Sequence, residues 1–266
     1  MLNKTMHETR TTLLLTGLAL LSLFFSRPAQ ALTCRVSPDK VPIGLNYHGA
    51  TLAVSGENKA GDDMIIRITN DKGEAHYKYI GKAGGLVWMK KGDVSFTNVP
   101  GVYLLFSSGD LEHLLGSEER QANQIGYDAM KEAAEMETGS PELQGASPRW
   151  KDEFIRFKEK QKLYAIHPGA VTRQHGRDSD TYQLEVAWPY QAGPGTYSVE
   201  AMAVRDGKVV EREQTRFTVQ QAGVVKQLSG LAFNNASIYG IMAVLIAIFA
   251  GFAVGMIFRK GGGGAH

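Results

Sequence analysis

The clearest indication of the architecture is the segment 195-GTYSVEAMAVRDGKVVEREQTRFTV-219. Tyr197, Val199, Ala201 and Ala203 alternate with Ser198, Glu200 and Met202, which is typical of a strand with one buried face. Asp206-Gly207 favours a tight turn, so the segment predicts an antiparallel hairpin. We expect this hairpin to complete a sandwich begun by earlier strands. The alternative, a second small sandwich, has less support because three strands alone make a poor independent core.

Upstream, residues 33–107 consist of short β-rich runs separated by glycine and proline. Their starts are about 8 to 12 residues apart, a spacing typical of a β-sandwich. The sequence therefore predicts a mainly β protein, with an immunoglobulin-like β-sandwich over residues 32–229. The strands predicted in this part are 33–36, 41–45, 51–55, 64–69, 75–80, 86–89, 94–97 and 102–106.

A helical insertion is predicted at about 110–165, where Glu, Lys, Gln, Ala and Met dominate. One helix is expected over 118–137, with Ile125, Ala129, Ala133 and Met136 on one face, and another begins at Ser147-Pro148. Residues 110–142 hold nine acidic and two basic residues, and 149–177 hold eight basic and three acidic ones. We expect the two segments to attract each other; two independently solvated helices are the alternative.

The run 238–258 has no charged residue and is followed directly by Arg259 and Lys260. About 20 helical residues cross a bilayer core, so this run predicts one C-terminal transmembrane helix. Residues 230–237 then form a juxtamembrane linker. The basic residues after the run place the short tail, 259–266, in the cytoplasm.

Residues 1–31 have the pattern of a cleaved signal peptide. Lys4 and Arg10 precede a short apolar stretch, and Ala29-Gln30-Ala31 is a cleavage pattern. Lipidation of Cys34 is the alternative, but the residues before it do not form a lipobox. The sequence thus predicts a single-pass protein of the bacterial inner (cytoplasmic) membrane, with its body in the periplasm.

Charge and cysteine content narrow the functional classes. Removing residues 1–31 takes away three of the 29 basic and one of the 27 acidic residues, so the mature chain is formally neutral. A neutral body argues against nucleic acid as a partner.

Cys34 is the only cysteine, so no intramolecular disulfide can form. It is expected to be an inert, partly buried thiol in a first strand, with cross-linking to a partner or second copy as the alternative.

Four segments together resemble a bacterial family known as putative transmembrane proteins, of unknown function. They are Leu45 to Leu52, Gly92 to Pro100, Gly193 to Gly207, and Tyr239 to Arg259. The resemblance covers nearly all of the mature chain and is weakest over 110–177. It implies an exported β-rich domain on one C-terminal anchor, without an established activity. Some members are encoded beside permeases resembling sulfite exporters, which implies a permease of that type as a partner.

No motif for catalysis or metal binding is present in the mature sequence. Its histidines form no close pair, and no Gly-x-Ser-x-Gly elbow, Ser-x-x-Lys pair or Cys-His arrangement stands out. We therefore predict no catalytic residue, no metal site and no cofactor. An enzyme without a recognisable motif remains the third-ranked alternative.

Two sets of residues are the candidate functional positions. Small residues recur every four positions in the anchor and predict a helix-packing face, for a permease or for self-association; alanine and glycine are also simply common in membrane helices. The first hypothesis is accordingly a non-enzymatic accessory protein of a transporter or envelope complex. The second is a small-solute or anion-binding module with a pocket between sandwich and helices. The packing face is Ala243, Ala247, Gly251 and Gly255; the pocket residues are Trp88, Trp150 and Tyr164.

Overall fold

The computed structural model describes residues 32–83, 86–139, 147–177 and 179–259. The predicted signal peptide and residues 260–266 of the predicted tail lie outside this part of the chain. The strands are β1 (Arg35–Ser37), β2 (Lys40–Ile43), β3 (Ala50–Lys59), β4 (Asp63–Thr69), β5 (Lys72–Ala83), β6 (Val87–Pro100), β7 (Tyr103–Ser107), β8 (Glu135–Thr138), β9 (Tyr164–His167), β10 (Thr172–Gln174), β11 (Ser179–Trp188), β12 (Gly195–Arg205) and β13 (Lys208–Gln221).

The helices are mostly gathered between β7 and β9 and at the C-terminus. They are α1 (Leu111–Leu114), α2 (Ser117–Ala122), α3 (Tyr127–Ala133), α4 (Ser147–Lys160), α5 (Gly223–Asn234) and α6 (Ala236–Arg259).

Two sheets form a sandwich-like arrangement around one apolar core. The four-stranded sheet has the order β1-β3-β11-β10, and the six-stranded sheet has the order β2-β13-β12-β4-β7-β9. Side chains of β11 alternate between buried and exposed, as expected for a strand with one face on a core. Trp188 of β11 meets Tyr197 and Phe217 of the other sheet, with ring centroids 4.5 and 4.9 Å apart.

The prediction that the late hairpin completes this sandwich is confirmed. β12 pairs with β13 on one side and with β4 on the other, where Ala201 faces Ile66. Asp206 (φ 51°) and Gly207 (φ 77°) form the turn, as the Asp-Gly pair predicted. Completing the six-stranded sheet buries the inner faces of β12 and β4, which a separate hairpin would leave in water.

The prediction of a single helix over 118–137 is wrong. α2 ends at Ala122, and Gln124 (φ 54°) and Gly126 (φ 92°) adopt left-handed backbone conformations that stop it. The Arg67 guanidinium binds the carbonyl oxygens of Asn123 and Gln124, at 2.9 and 3.0 Å, so a distant strand satisfies this helix end. Residues 135–138 then form β8, which pairs with β6.

Two further boundaries differ from the predicted ones, and one is confirmed. The strands predicted at 86–89 and 94–97 are one long strand, β6, which pairs along its length with β5 and forms a third sheet, β5-β6-β8. Much of the segment 230–237, predicted as a linker, is helical, because α5 runs to Asn234 and α6 begins at Ala236. The helix start at Ser147-Pro148 is confirmed.

The expected attraction between the acidic and basic helical segments takes a different form. Among the described side chains, the ion pair that joins the two segments is Lys131 Nζ to Asp152, at 3.2 Å, in which the minority charge of each segment takes part. Lys151 Nζ also donates to the carbonyl oxygen of Lys131, at 2.8 Å. The excess acidic side chains of the first segment and the excess basic side chains of the second are therefore not what joins the two segments in the described ion pairs.

The apolar C-terminal helix is present as predicted. The described residues contain one helix long and apolar enough to cross a membrane, Ala236–Met256, with a mean hydropathy of 2.4. None of it is buried within the chain. An apolar surface of this length is stable only when lipid or another protein covers it.

Candidate functional site

The ladder between β4 and β7 continues beyond the six-stranded sheet as the ladder between β5 and β6. Thr69 faces Tyr103, and three residues further along both strands Lys72 faces Pro100, so the register is unbroken. Asn70 bridges the junction, because its Oδ1 accepts a hydrogen bond from the Val102 N–H at 2.9 Å. We call the extension β5–β6 the ribbon.

The base of the ribbon packs against α4 through aromatic rings. Trp150, Phe154 and Phe157 of α4 are spaced by four and three residues, which places them on one helix face. Phe96 of β6 stacks on Phe154 with ring centroids 4.6 Å apart, and Tyr77 of β5 meets Phe157 edge-on at 5.3 Å. Such pairs add roughly 0.5–1.5 kcal/mol each beyond the area they bury.

A groove of about 240 Å³ lies between the ribbon and α4. Its charged side chains are Lys78 and Glu153, and the rest of its lining is mainly aromatic. This size and lining suit a small apolar or aromatic molecule better than a polar one. We call this site the aromatic groove; it is lined by Tyr77, Lys78, Tyr79, Ile80, Val94, Phe96, Trp150, Glu153, Phe154 and Phe157.

The three residues predicted to line one pocket occupy different places. Trp150 lines the aromatic groove, with its ring 5.1 Å from Tyr79. Tyr164 is fully buried behind the groove, where its hydroxyl donates to the Pro100 carbonyl oxygen at 2.6 Å. Trp88 lies farther out on the ribbon and is 66% exposed, with Lys82 Nζ 5.5 Å above its ring.

Sequence reasoning missed the wall of the groove that the ribbon supplies. Tyr77 and Tyr79 are two residues apart on β5, so both point to the same face of the strand. An aromatic pair at strand spacing, close in sequence to an aromatic helix stripe, is the signal that could have found this wall. Which strand would meet which helix depended on β6 pairing across the whole ribbon.

Lys158 joins α4 to the base of the ribbon. It is only 9% exposed, and its Nζ lies 5.7 Å from the ring centres of both Phe154 and Tyr164. The Nζ donates to the Gly101 carbonyl oxygen at 3.3 Å. Burial lowers the pKa of Lys158 and raises the pKa of Tyr164. These contacts support the groove from behind and do not open into it.

A second, smaller pocket of about 90 Å³ lies beside the ribbon base and is more polar. Its two cationic side chains, Arg67 and Lys72, already have partners within the chain. Arg67 pairs with Glu200 in addition to the two carbonyl oxygens at the end of α2, and Lys72 Nζ donates to Gln124 Oε1 at 2.7 Å. An anion would have to compete with these partners for the two cations. The contacts around this pocket therefore suit a structural role better than anion binding.

The predicted packing face lies on the exposed helix α6. Ala243, Ala247, Gly251 and Gly255 follow one another at four-residue spacing, so they share one side of the helix. A methyl group built at Gly251 or Gly255 would meet no described atom of another element within 4 Å. Within one chain, nothing that the structure describes occupies this face.

The part of the chain that the structure describes contains no group of three or more His, Cys, Asp or Glu residues that could hold a metal ion. Asp180 is the most deeply buried carboxylate among the described residues. It accepts hydrogen bonds from the Gly61 and Gly176 N–H groups, at 3.1 and 3.3 Å, and lies 3.0 Å from His175 Nδ1. This arrangement ties the start of β11 to two loops, the turn between β3 and β4 and the segment that follows β10.

Comparison with known families adds the membrane assignment. A family model described as "Putative transmembrane protein" (Alph_Pro_TM) matches residues 31–260. The chain belongs to this family. The match includes all four segments on which the resemblance rested, and also α6, so this member of the family carries one candidate C-terminal membrane span. No curated protein matches the chain.

Proposed function

We propose that the protein is a non-enzymatic accessory protein, anchored in the bacterial inner membrane by α6, that associates with a transporter or envelope complex. The observation that carries the proposal is the apolar span Ala236–Met256, exposed along its whole length and joined to a folded β-rich body. The body lies in the periplasm and the short tail in the cytoplasm, in keeping with Arg259 and Lys260 after the span. The sandwich is of the immunoglobulin-like kind, an assignment supported by the two sheets that meet around buried Trp188.

Association through α6 is supported by its row of small residues. Alanine and glycine allow two helix backbones to approach closely, and contacts between helices replace contacts with lipid. The partner helix belongs to a permease of the sulfite-exporter type or to a second copy of this chain. In either case Gly251 and Gly255 lie at the point of closest approach.

The test is purification of the full-length protein in mild detergent from its native membrane, followed by mass spectrometry of co-purifying proteins. Gly251→Leu combined with Gly255→Leu should remove the partner, because the leucines separate the helices. Ala253→Leu is the matched control: it is also a small-to-leucine change, but it lies on the opposite side of α6. Equal recovery of the partner with the double variant would contradict association through this face.

The aromatic groove favours a second candidate function, the binding of a small apolar or aromatic solute. The lining of Tyr77, Phe96, Trp150 and Phe157 offers ring faces and edges, and Lys78 and Glu153 lie at its border. Ligand pockets of proteins commonly combine such an apolar lining with a few polar groups. An enzyme ranks last among the candidates.

Thermal unfolding of the full-length protein in detergent tests the solute-binding function. A solute that binds the folded state stabilises it by about 2.7 kcal/mol at a concentration of 100 times its Kd. Trp150→Ala should abolish the stabilisation, whereas Tyr190→Ala, a change at an exposed aromatic residue outside the groove, should preserve it. A flat response across a broad panel of aromatic solutes would count against this function.

A further inference from the structure

The ribbon and the membrane helix leave the sandwich at the same end. β13 finishes at this end and leads into α5 and α6. Val219 near the end of β13 faces Gly195 at the start of β12, and Ser198 faces Thr69 at the end of β4. Because β5 follows β4 after two residues, the ribbon starts at the level where β13 ends. We call this end of the sandwich the exit end.

Two loops lie at the exit end as well. Residues 44–49 follow β2, which runs parallel to β13 with Ile43 beside Gln221. Residues 189–194 connect β11 to the start of β12. Trp188 faces Ala50 across the four-stranded sheet, so the loop after β11 and the loop before β3 are neighbours.

Large apolar side chains are exposed mainly at this end. Outside α6, ten large apolar side chains are exposed among the residues whose exposure the structure describes, and eight of them lie in the exit-end loops, on the ribbon or in α5. Single exposed apolar residues are ordinary, but a cluster of them marks an interaction surface, and five of the eight lie on the ribbon. The eight are Leu45, Ile80, Leu86, Val87, Trp88, Met89, Tyr190 and Phe233.

The opposite end of the sandwich is held by ion pairs. Arg205 at the end of β12 binds Asp62 at 2.6 Å, and Arg173 binds Asp63 at the start of β4 at 2.9 Å. Val210, just past the β12–β13 turn, is the exposed large apolar residue that the structure describes there. The two ends therefore differ chemically. The opposite end carries charged side chains in ion pairs, and the exit end carries exposed apolar side chains.

The outer half of the ribbon is also strongly basic. Between positions 78 and 92 there are four lysines and no acidic residue. The first acidic residue beyond them, Asp93, pairs with Lys90 at 2.6 Å. Lysines beside exposed apolar residues are the combination that binds anionic lipid surfaces, since the stems cover apolar surface and the charges reach headgroups.

Both faces of the ribbon are apolar near its tip. Trp88 and Met89 are consecutive in β6, so their side chains point to opposite faces, and they are 66% and 51% exposed. A partner protein docking on one face would leave the other in water. A lipid interface surrounds an inserted tip on all sides, and tryptophan is enriched at that depth.

We propose that the outer ribbon, Ile80 and Lys82 on β5 with Leu86 to Lys90 on and before β6, inserts into the anionic surface of the bilayer that α6 crosses. The proposal rests on α6 spanning that bilayer, as in the proposed function. The span brings the exit end near lipid, and the ribbon supplies a second attachment point at a distance from the first. Two attachments fix the orientation of the body, whereas a single helix leaves it free to rotate.

Tryptophan fluorescence of the full-length protein in liposomes tests the insertion. The chain has three tryptophans, Trp88, Trp150 and Trp188, and none of them is in α6. Liposomes contain phosphatidylglycerol and phosphatidylcholine, with or without bromine on the upper acyl chain as a contact quencher. The difference between wild type and Trp88→Phe isolates the signal of Trp88, and we expect brominated lipid to quench it.

The matched control is Val210→Trp in the Trp88→Phe background, which moves an exposed tryptophan to the opposite end of the sandwich. Brominated lipid should leave that tryptophan unquenched, while aqueous acrylamide should quench it strongly. Lys82→Gln should lower the ratio of inserted to free ribbon about fivefold. Vesicles of phosphatidylcholine alone should reduce insertion of the wild type as well.

Two outcomes would overturn the proposal. Quenching of Trp88 by acrylamide but not by brominated lipid would place the ribbon in water. Protection of Trp88 from both quenchers would place it against protein, either a second copy or a partner. Flotation of the protein with the liposomes, measured in the same samples, reports on α6 separately, so a failure of the anchor is distinguished from a failure of the ribbon to insert.

Discussion

At the scale of single residues, buried Asp180 connects stability to pH. Burial by itself would raise the pKa of this carboxyl, but hydrogen bonds from the Gly61 N–H, His175 and the Gly176 N–H outweigh it and leave the pKa below the usual value of 3.8. A carboxyl with a lowered folded-state pKa stabilises the fold above its unfolded pKa. That contribution is lost as the pH falls through the folded pKa.

We predict that Asp180→Asn lowers the free energy of unfolding by about 1–3 kcal/mol at pH 7, because an amide accepts fewer and weaker hydrogen bonds than a carboxylate. The deficit relative to wild type should shrink as the pH falls below about 4. Urea unfolding of both proteins at pH 7 and pH 3 measures it, with Asp71→Asn at an exposed position as control. An equal deficit at both pH values would mean that the charge of Asp180 is not its source.

Gly49 shows why one residue of the recognised segment 45–52 is a glycine. Its φ of +113° is rarely adopted by other residues, and a Cβ there would lie 2.8 Å from the Trp188 carbonyl oxygen.

Cys34 is a residue that could have been functional, but its side chain is buried. Burial, with a contribution from Glu213 against a hydrogen bond to Tyr182, raises the pKa of its thiol. A raised pKa disfavours the reactive thiolate, which supports the prediction of an inert thiol.

At the scale of elements, the ribbon has a base that stabilises the fold and an outer half that does not. Phe96 is 3% exposed and contacts both Phe154 and Tyr77, whereas Trp88 on the same strand is 66% exposed. The two aromatic residues are eight positions apart on one strand and differ mainly in what covers them. They form a natural pair for comparison.

We predict that Phe96→Ala lowers the free energy of unfolding by about 3–5 kcal/mol, since it leaves a cavity between β6 and α4. Trp88→Ala should change it by less than about 0.5 kcal/mol in detergent solution, because Trp88 has little packing to lose. Urea unfolding of the full-length protein compares the two. A large loss with Trp88→Ala would show that the outer ribbon packs against the body.

Some helices and turns were predicted correctly from the sequence, and others were not. The Asp206-Gly207 hairpin and the start of α4 were predictable because their signals are local, a turn pair and a proline in the first helical turn. The predicted helix 118–137 failed because Arg67, about sixty residues away in sequence, satisfies the carbonyl oxygens that end α2. The same segment then supplies β8 because β6 presents an edge for it to pair with.

At the scale of the whole molecule, the arrangement predicts which parts of the chain face each compartment. We expect Val210→Cys, exposed just past the β12–β13 turn, to react with a membrane-impermeant maleimide added to intact spheroplasts. Ala265→Cys, in the predicted cytoplasmic tail, should react only after the membrane is opened. Native Cys34 is buried and should contribute little background.

The opposite labelling pattern, with Ala265→Cys reactive in intact spheroplasts and Val210→Cys protected, would reverse the proposed topology. Labelling of both positions would indicate that α6 does not span the membrane. The unaltered protein, which carries Cys34 alone, serves as the control for background in each case.

The sequence by itself determined the β-rich class, the apolar C-terminal helix that is a candidate membrane span, and the family. Each depends on a local pattern: alternation at strand spacing, an unbroken apolar run, and residues contiguous within four segments. It also identified Trp150 as a residue of interest. It could not place Trp88, Trp150 and Tyr164 relative to one another, since their positions depend on how β5 pairs with β6 and how α4 packs on that pair. Only the tertiary structure decided that the aromatic groove lies at the ribbon base, and that the ribbon and the membrane helix leave the sandwich at one end. The physical reason is that strand pairing joins residues far apart in the chain, and the direction of each strand is set by partners that no local pattern specifies.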